Sequence, residues 1–439
     1  MTDPNPLEAV APTRIAVVGA GYVGVTTAVC LAYLGHTVVC GDCDLAKVER
    51  LSAGIPTFVE ERLGELLNDG LSSGRLRFVT TAAASVREAE YVFICVSTPG
   101  HADGSPDLSD LEAVAGEIAV HLLPGAVVVN KSTVPIGSTV LVERLLDRDD
   151  VTVVSNPEFL REGSAIHDCL YPARIVVGGK DRNSATRVGE LLRTDHAPLI
   201  VTDAPTAEMI KYASNVFLAT KLTLANAVSD LCELLGADAQ DVLRGMGYDP
   251  RIGSSFLRPG PGWGGSCLPK DTQALIFMAK QAGFAFPLLE EILRSNQAHL
   301  ESVVTKIRQA CEGMLAGAVI SAWGLTFKAG TDDLRQSPAL AVLRLVAEEG
   351  ARVKAFDPTT VARPLAQFDE LEVHSDPYSV CQGAKVLAVL TEWPDFRSVD
   401  MAKVFQIMAP NPTIVDARNL LDPTEVRGIG FRYVGLGRD

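Results

Sequence analysis

The chain has 439 residues, of which 47% are hydrophobic and 21% charged, so we expect a globular protein of two or three domains. Its net charge of −15 argues against general binding to nucleic acid or to an anionic membrane, and an anionic ligand would need local Arg, Lys or helix N-termini. The longest apolar runs, such as Ala316–Leu325, are too short to span a membrane.

The N-terminal stretch and the cysteines bear on where the chain works. Residues 1–13 lack the basic start and apolar core of a signal peptide, and we predict a flexible leader there. Nine scattered cysteines, an odd number, indicate a reducing compartment, so we predict a cytoplasmic protein without a disulfide framework. Cys40 and Cys43 have C-x-x-C spacing but no second pair, and we predict no metal site.

The first motif follows a short apolar strand, Arg14–Val18. It reads Gly19-Ala20-Gly21-Tyr22-Val23-Gly24, and it precedes a predicted helix, Val25–Leu34, and a second strand, Thr37–Gly41, that ends at Asp42. In this order G-x-G-x-x-G predicts a dinucleotide site, because glycines let the backbone approach a pyrophosphate at a helix N-terminus. Asp42 would bind the ribose hydroxyls and repel a 2′-phosphate, so NAD is favoured over NADP. The alternative is a glycine turn without a ligand.

Strands and helices continue to alternate, which predicts a doubly wound α/β domain. Further strands are predicted at Leu76–Val79, Tyr91–Val96, Ala126–Asn130, Val151–Ser155, Ile175–Val177 and Leu199–Val201. Ligands bind at the carboxyl ends of such strands, where three polar motifs stand: Ser97-Thr98-Pro99, Lys131-Ser132-Thr133-Val134-Pro135 and Asn156-Pro157-Glu158-Phe159-Leu160-Arg161-Glu162-Gly163. Each could be only a capped loop, but their shared position predicts one joint site.

A long helix is predicted over Thr206–Leu235, with Pro205 at its start. At 1.5 Å per residue its length would be roughly 45 Å, enough to span two domains. Lys211 and Asn215 are four residues apart and share one face of this helix. They are either a solvated surface pair or a cation and an amide donor that point into a cleft, and spacing alone does not decide between the two.

The most informative stretch is Gly264-Gly265-Ser266-Cys267-Leu268-Pro269-Lys270-Asp271. Pro269 opens a predicted helix, Lys270–Gln281, so the thiol stands at a helix N-terminus with a lysine nearby, a setting that favours the thiolate. Asp271 lies four residues further on and could accept a hydrogen bond or act as a base. A buried structural cysteine is the alternative, but the flanking residues favour a nucleophile.

The remaining chain repeats the strand–loop–helix–strand–acid order without the glycine motif. A strand over Val319–Thr326, a helix over Ala339–Glu349 and a strand over Val353–Phe356 that ends at Asp357 predict a second nucleotide-type domain. The expected fold is therefore α/β, with two Rossmann-like doubly wound domains joined by a long central helix. Its predicted parts are a leader (1–13), an NAD-binding domain (14–204), a central helical domain (205–312) and a C-terminal Rossmann-like domain (313–439) for another nucleotide-type ligand, which the family resemblance given next implies to be a nucleotide sugar.

These motifs together resemble the UDP-glucose/GDP-mannose dehydrogenase family, most closely its UDP-glucose 6-dehydrogenase branch. The resemblance runs from about Arg14 to Val434 and rests on Gly19–Gly24, Lys131–Pro135, Asn156–Ala165, Lys211 with Asn215, Arg251–Leu257, Gly264–Asp271 and Lys328–Pro338. It implies oxidation of a sugar C6 alcohol to a carboxylate with two NAD⁺ consumed, through a thiohemiacetal and a thioester on Cys267. It also implies a homodimer or larger assembly, in which Arg251 reaches a neighbour's site.

The resemblance also implies a role for each matching residue. Catalytic roles fall to Cys267, Lys211, Asn215, Asp271, Glu158 and Thr133. Cofactor contacts fall to Gly19, Ala20, Gly21, Tyr22, Val23, Gly24, Asp42, Lys47, Thr98, Ser132, Thr133, Glu162 and Arg335. Substrate contacts fall to Glu158, Phe159, Leu160, Arg161, Lys211, Asn215, Arg251, Phe256, Leu257, Gly264, Lys328 and Arg418.

Three departures from the family pattern bear on the substrate and on loop shape. The frequent Glu-Pro-Gly-Leu is here Glu60-Glu61-Arg62-Leu63, the frequent Pro-Asp-Arg is Pro172-Ala173-Arg174, and Trp263 replaces a smaller aromatic residue in the substrate loop. Alternative substrates are dTDP-glucose, GDP-mannose and a UDP-N-acetylhexosamine. An alternative of another class is a non-catalytic sensor of NAD or a nucleotide sugar, which would not need the Cys267, Lys211, Asn215 and Asp271 set.

Overall fold

A computed structural model describes residues 12–193, 197–359 and 371–438, so nearly all of the predicted leader lies outside the described residues. The chain divides into two compact units. The first runs to Ser214 and includes Gln273–Met278, and the second contains Asn215–Thr272 and Ala279–Asp439. Two helices contribute residues to both units, and each unit is described by itself below.

The first unit is built on a sheet that has eight strands within the described residues. In chain order they are β1 (Arg14–Val18), β2 (Thr37–Gly41), β3 (Leu76–Val79), β4 (Tyr91–Ile94), β5 (Val127–Asn130), β6 (Thr152–Ser155), β7 (Ile175–Gly178) and β8 (Leu199–Thr202). Their order across the sheet is β3-β2-β1-β4-β5-β6-β7-β8. Neighbours are parallel, except that β6 and β7 meet antiparallel where Ser155 faces Gly178.

Helices cover both faces of this sheet, which explains why its strands are apolar on both sides. They are α1 (Tyr22–Tyr33), α2 (Leu45–Ser52), α3 (Leu63–Ser72), α4 (Ala82–Val86), α5 (Ser109–Ile118), α6 (Ser138–Leu146), α7 (Ala165–Leu170) and α8 (Arg182–Leu191). Alternate residues of β1 enter two separate cores. Ile15 and Val17 pack in one core, and Ala16 and Val18 pack in the other.

Four helices follow β8. They are α9 (Ala204–Leu235), α10 (Ala239–Gly247), α11 (Leu268–Gln281) and α12 (Pro287–Ala310). The predicted long helix is present with 32 residues, but it begins two residues earlier than expected. Pro205 therefore lies in its first turn, where its missing N–H is tolerated. Helix α11 also begins two residues earlier than predicted, at Leu268 directly after Cys267. Pro269 is its second residue, where the missing N–H is again tolerated.

The second unit contains a parallel sheet with the described strands β9 (Val319–Trp323), β10 (Arg352–Phe356), β11 (Leu371–Val373), β12 (Val386–Val389), β13 (Thr413–Asp416) and β14 (Arg432–Val434). Their order across the sheet is β11-β10-β9-β12-β13-β14. The helices of this part of the chain are α13 (Pro338–Glu348), α14 (Met401–Ile407) and α15 (Pro423–Ile429). The prediction of two doubly wound α/β domains with a long helix between them in the chain is confirmed. The edge strands β11 and β14, of three residues each, were not predicted.

Two further observations bear on the expectations from composition. None of the helices among the described residues combines the length and apolar character needed to cross a membrane. All nine cysteines lie in the described part of the chain, and none of them forms a disulfide.

Candidate active site

The glycine motif forms a tight turn between β1 and α1 in which each glycine has a different surrounding. A Cβ on Gly19 would lie 2.6 Å from the carbonyl oxygen of Cys95, and a Cβ on Gly24 would lie 1.7 Å from that of Gly19. Gly21, in contrast, has nothing within 4 Å of its Cβ position. It is also the N-cap residue of α1 and gives that helix no side-chain cap. The turn thus presents uncapped N–H groups and open space, which fits a pyrophosphate.

Asp42 is tied to this turn by its side chain. Its Oδ2 accepts hydrogen bonds from the backbone N–H of Ala20 at 2.7 Å and from Lys47 Nζ at 3.0 Å, and its Oδ1 accepts from the Asp44 N–H at 2.9 Å. Burial alone would raise the pKa of Asp42, but the backbone N–H groups and Lys47 together lower it. An ionised carboxylate at the end of β2 is what the recognition of ribose hydroxyls requires.

The loops after β4 and β5 are joined by side-chain hydrogen bonds. Thr98 Oγ1 donates to the carbonyl of Thr133 at 2.7 Å, and Ser132 Oγ donates to the carbonyl of Val96 at 2.8 Å. Because β4, β5 and β6 are neighbours in the sheet, the three polar motifs predicted from the sequence lie on adjacent strands. The predicted cofactor residues Thr98, Ser132 and Thr133 are therefore brought together in the first unit.

A buried carboxylate, Glu60, connects the glycine turn with the loop after β6. It accepts hydrogen bonds from the Tyr22 hydroxyl and from the N–H groups of Gly163 and Ala165, the latter two at 2.8 Å each. Burial raises the pKa of the Tyr22 hydroxyl most, and the hydrogen bond to the Glu60 carboxylate raises it further. The sequence showed only that this acid is kept while the Pro-Gly of the family pattern is lost, and it gave Glu60 no role.

Glu158 and Lys211 form a buried ion pair. Lys211 Nζ donates to Glu158 Oε1 at 2.6 Å, and the two side chains are 4% and 6% exposed respectively. The backbone N–H of Leu160 donates to the other carboxylate oxygen at 2.6 Å. Burial would raise the pKa of Glu158, but Lys211 and this N–H more than offset it, so the pKa is lowered. Lys211 is thus not a solvated surface lysine.

The neighbouring predicted substrate residues differ in what they contact. The guanidinium of Arg174 stacks over the Phe159 ring, with Cζ 3.6 Å from the ring centre. Arg161 forms two hydrogen bonds with Asp168, at 2.8 and 2.6 Å, although its own side chain is 59% exposed. The Arg174 of the altered Pro-Ala-Arg segment therefore supports the ring of Phe159, a predicted substrate contact.

In the second unit, Asn215 and Asp271 are bound to each other. Asn215 Nδ2 donates to Asp271 Oδ2 at 2.6 Å, and Lys270 Nζ donates to Oδ1 at 2.7 Å. The Asp271 side chain is 1% exposed. Its own N–H donates to the carbonyl of Cys267 at 2.9 Å, so the cysteine and the carboxylate are joined by the first turn of α11. The lysine expected to lie near the thiol is thus paired with Asp271.

The two glycines before the cysteine are required by close packing against the loop that follows β9. A Cβ on Gly264 would lie 1.9 Å from the carbonyl oxygen of Gln336. Gly265 has φ +84°, and a Cβ there would lie 2.8 Å from the ring of Phe327. The Gly264–Cys267 turn and the predicted contact segment Lys328–Pro338 are thereby neighbours within one unit.

Two predicted substrate contacts of the second unit, Arg418 and Lys328, lie beside Phe327. Arg418 donates to the carbonyls of Leu390 and Phe327 at 2.9 and 3.2 Å, and its Nη1 lies 2.6 Å from the Cβ position of Gly260. Lys328 Nζ stands 5.6 Å from the Phe327 ring centre. Arg335 instead pairs with Asp333, its neighbour two positions back, through hydrogen bonds at 2.9 and 2.7 Å.

The segment around Arg251 is divided between surface and interior. Arg251 is 88% exposed and pairs with Asp249 at 2.6 Å, whereas Leu257 is buried, and Phe256 has a left-handed φ of +60°. Trp263 is also buried, and its indole donates to Thr223 Oγ1 of α9 at 2.8 Å. The tryptophan is therefore anchored to α9 by this hydrogen bond.

Sequence reasoning missed another buried acid, Glu208. Its carboxylate accepts from the N–H of Gly137 at 2.6 Å and from the N–H and hydroxyl of Thr139 at 3.0 and 2.7 Å. It thus holds the start of α6, which follows the Lys131–Pro135 motif. Nothing distinguished it in the sequence from a surface acid on an amphipathic helix.

Over residues 12–193, 197–359 and 371–438, no group of three or more His, Cys, Asp or Glu could hold a metal ion.

Models of one protein family match three successive parts of the chain. They are described as the UDP-glucose/GDP-mannose dehydrogenase family NAD binding domain (residues 13–195), central domain (205–298) and UDP binding domain (321–423). Among curated proteins, UDP-glucose 6-dehydrogenase of Rhizobium meliloti is 44% identical, with 97% of this chain and 99% of the relative covered. The enzyme of the same name from Pseudomonas aeruginosa is 41% identical, with 97% of each covered.

Two solved structures of similar proteins match nearly the full length of the chain. The UDP-glucose dehydrogenase of Pyrobaculum islandicum has a TM-score of 0.90 at 36% identity, with 99% of both chains covered. The UDP-D-ManNAc dehydrogenase of Pyrococcus horikoshii has a TM-score of 0.86 at 30% identity, with 97% of this chain and 99% of that chain covered.

Proposed function

The chain belongs to the UDP-glucose/GDP-mannose dehydrogenase family, and we propose that it oxidises the C6 alcohol of UDP-glucose to a carboxylate with NAD⁺. One UDP-glucose, two NAD⁺ and one water give UDP-glucuronate, two NADH and three protons. The observation that carries the proposal is the placement of Cys267 directly before α11, with Asp271 one turn further on and bound by Asn215. A thiol in that position is suited to covalent catalysis.

The role we propose for Cys267 lies in the second oxidation. Its sulfur adds to the C6 aldehyde, which forms a C–S bond and a thiohemiacetal with a C6 oxyanion. Loss of hydride from this carbon gives a thioester, and water then cleaves the C–S bond, which releases the carboxylate and restores the thiol. When bound, NAD⁺ accepts the hydride of each oxidation.

Lys211 and Asn215 are the proposed donors to the C6 oxyanion. They stand one helical turn apart on α9, and each is anchored by a buried carboxylate, Lys211 by Glu158 and Asn215 by Asp271. Anchored donors lose little freedom when charge develops on oxygen, which is the physical basis of oxyanion stabilisation. We assign the ordering of water and the movement of protons to Asp271, Glu158 and Thr133.

For the cofactor, we propose the glycine turn Gly19–Gly24 as the pyrophosphate site and Asp42 as the ribose ligand. The open space at Gly21 and the ionised, anchored Asp42 support this assignment. The other proposed cofactor contacts are Lys47, Thr98, Ser132, Thr133, Glu162 and Arg335. The proposed substrate contacts are Glu158, Phe159, Leu160, Arg161, Lys211, Asn215, Arg251, Phe256, Leu257, Gly264, Lys328 and Arg418.

We further propose that the chain works as a homodimer or larger assembly in the cytoplasm. Phe217, Leu224 and Leu231 follow one another at intervals of seven on α9, and they are 64%, 50% and 53% exposed. Such a stripe on one helix face is typical of a seam between two copies. The exposed Arg251 could then reach a neighbour's site. The nine cysteines without a disulfide support a reducing compartment.

The proposed function is tested by following NADH formation with four substrates under identical conditions. We expect UDP-glucose to give a kcat/KM at least tenfold above dTDP-glucose, GDP-mannose and UDP-N-acetylglucosamine, with UDP-glucuronate as the product. A higher value for another nucleotide sugar would move the substrate assignment to that sugar. Binding of NAD⁺ and UDP-glucose without any NADH would instead favour the sensor.

A further inference from the structure

The segment Glu60–Leu63 departs from the family pattern but keeps an acid whose surroundings are unusual. Glu60 is 9% exposed, and its carboxylate receives hydrogen bonds from three donors on two distant parts of the chain. Oε2 accepts from the Tyr22 hydroxyl and the Gly163 N–H, and Oε1 accepts from the Ala165 N–H. The neighbouring Glu61 is exposed, so the buried position belongs to Glu60 alone in this pair of acids.

The three donors lie at two places that matter for the proposed cofactor site. Tyr22 is the first residue of α1, directly after the open Gly21. Gly163 directly follows Glu162, and Ala165 is the first residue of α7. Ser164, the N-cap residue of α7, gives no side-chain cap, so the Glu60 carboxylate satisfies the Ala165 N–H, which this helix start would otherwise leave unpaired. The Gly163 N–H is shared between Glu60 and the Tyr22 hydroxyl, which accepts from it at 3.0 Å.

We propose that Glu60 is a positioning residue for NAD, which fixes the glycine turn and the Glu162 loop relative to each other. The inference rests on the proposed use of NAD. A site whose contacts are held before binding loses less conformational freedom when the ligand arrives. Glu60 acts through Tyr22 and the Gly163–Ala165 backbone and does not touch the cofactor itself.

The charge and the two oxygens of Glu60 are both needed, because all three of its partners donate hydrogen bonds. A glutamine would place its own NH₂ group either at the Oε2 position, against the Tyr22 hydroxyl and the Gly163 N–H, or at the Oε1 position, against the Ala165 N–H. The hydroxyl can reorient to accept, whereas neither N–H can. Glu60→Gln should therefore keep part of the network, and Glu60→Ala should lose every bond to the carboxylate and keep only the Gly163 N–H donation to the Tyr22 hydroxyl at 3.0 Å.

The test measures NAD⁺ and UDP-glucose affinities separately by calorimetry for the wild type, Glu60→Gln, Glu60→Ala and the matched control Glu61→Gln. We expect the Kd for NAD⁺ to rise about tenfold in Glu60→Gln and more in Glu60→Ala, since buried donors are left unpaired. The Kd for UDP-glucose should change less than twofold. Glu61→Gln should match the wild type in both affinities. The kcat of the Glu60 variants at saturating NAD⁺ should remain within about threefold of the wild-type kcat.

The proposal is overturned if Glu60→Gln binds NAD⁺ like the wild type, or if both affinities fall in parallel with thermal stability, which would indicate a purely structural role. Glu60→Gln retains shape and decides the question if Glu60→Ala does not fold. If the wild type does not bind NAD⁺, the proposed function itself is contradicted. The wild type is therefore titrated first, before any variant is compared with it.

Discussion

Lys211 and Glu158 are ion-paired at 2.6 Å, and each side chain is at least nine-tenths buried. Burying two charges costs desolvation free energy, and the attraction between the two opposite charges offsets this cost. The pair connects α9 with the loop after β6, so it fixes the proposed oxyanion donor in the first unit. It also makes the stability of the protein depend on pH, because the pair loses its negative charge in acid.

The pKa of Glu158 is lowered in the folded state, so its ionised form contributes stability above the unfolded pKa, which is about 4.3. That contribution is lost as pH falls through the lower, folded value. Glu158→Gln leaves Lys211 buried without its carboxylate and should cost about 3 kcal/mol at pH 7. We expect the difference from the wild type, measured by urea denaturation, to shrink below about pH 4. A difference independent of pH would contradict the ion pair, and Glu61→Gln serves as the exposed control.

Asp42 should set the preference for NAD over NADP. We expect at least a tenfold preference in kcat/KM, about 1.4 kcal/mol, because an ionised carboxylate repels a 2′-phosphate. Asp42→Ala should narrow it, since Lys47 Nζ, now 3.0 Å from Asp42, would lose its carboxylate partner beside the ribose site. Asp44→Ala removes only the N-cap of α2 and should leave the preference intact. Equal kcat/KM values of the wild type for NAD and NADP would contradict this role of Asp42.

The sequence placed Asp42 correctly at the end of β2 beside the glycine turn, because every determinant of that placement is local. The order of strand, glycine turn, helix, strand and acid lies within about thirty residues and needs no long-range information. Glu60 could not be assigned in this way, since its donors Gly163 and Ala165 lie more than 100 positions further along the chain. The same holds for Gly264, whose requirement for glycine comes from the carbonyl of Gln336 on another loop.

Gly264→Ala should damage both the fold and the activity. The new Cβ would lie 1.9 Å from the Gln336 carbonyl oxygen, so one of the two backbones must move. We expect a loss of about 1–3 kcal/mol in the free energy of unfolding and a large loss of kcat. Gly245→Ala is the control, because its Cβ in α10 meets nothing within 4 Å and should leave activity unchanged. A Gly264→Ala enzyme with normal stability and rate would refute the packing described here.

The proposed sharing of Arg251 between subunits predicts complementation. Arg251→Ala should fold normally, because the side chain is 88% exposed, yet it should lose activity. Mixing it with Cys267→Ala should restore some turnover, since a hybrid dimer contains one site with both residues intact. If no activity returns after mass spectrometry has verified subunit exchange, Arg251 acts within its own chain or not at all.

The face of α9 that carries Lys211 and Asn215 shows where sequence reasoning reached its limit. The helix and the four-residue spacing were predicted, but the spacing could not tell a solvated pair from an anchored one. The difference depends on Glu158 and Asp271, which lie more than 50 positions away from their partners. Helix periodicity is a local property, whereas burial of a charge is decided by tertiary packing.

The central claim is that Cys267 forms the covalent adduct needed for the second oxidation. It is tested most directly by measuring UDP-glucuronate formed from UDP-glucose and NAD⁺ by Cys267→Ala, with the exposed-cysteine variant Cys43→Ala as control. We predict that Cys267→Ala still binds both ligands and gives at most a slow, small yield of NADH and essentially no UDP-glucuronate. Cys43→Ala should match the wild type. Formation of UDP-glucuronate by Cys267→Ala at the wild-type rate would contradict the account.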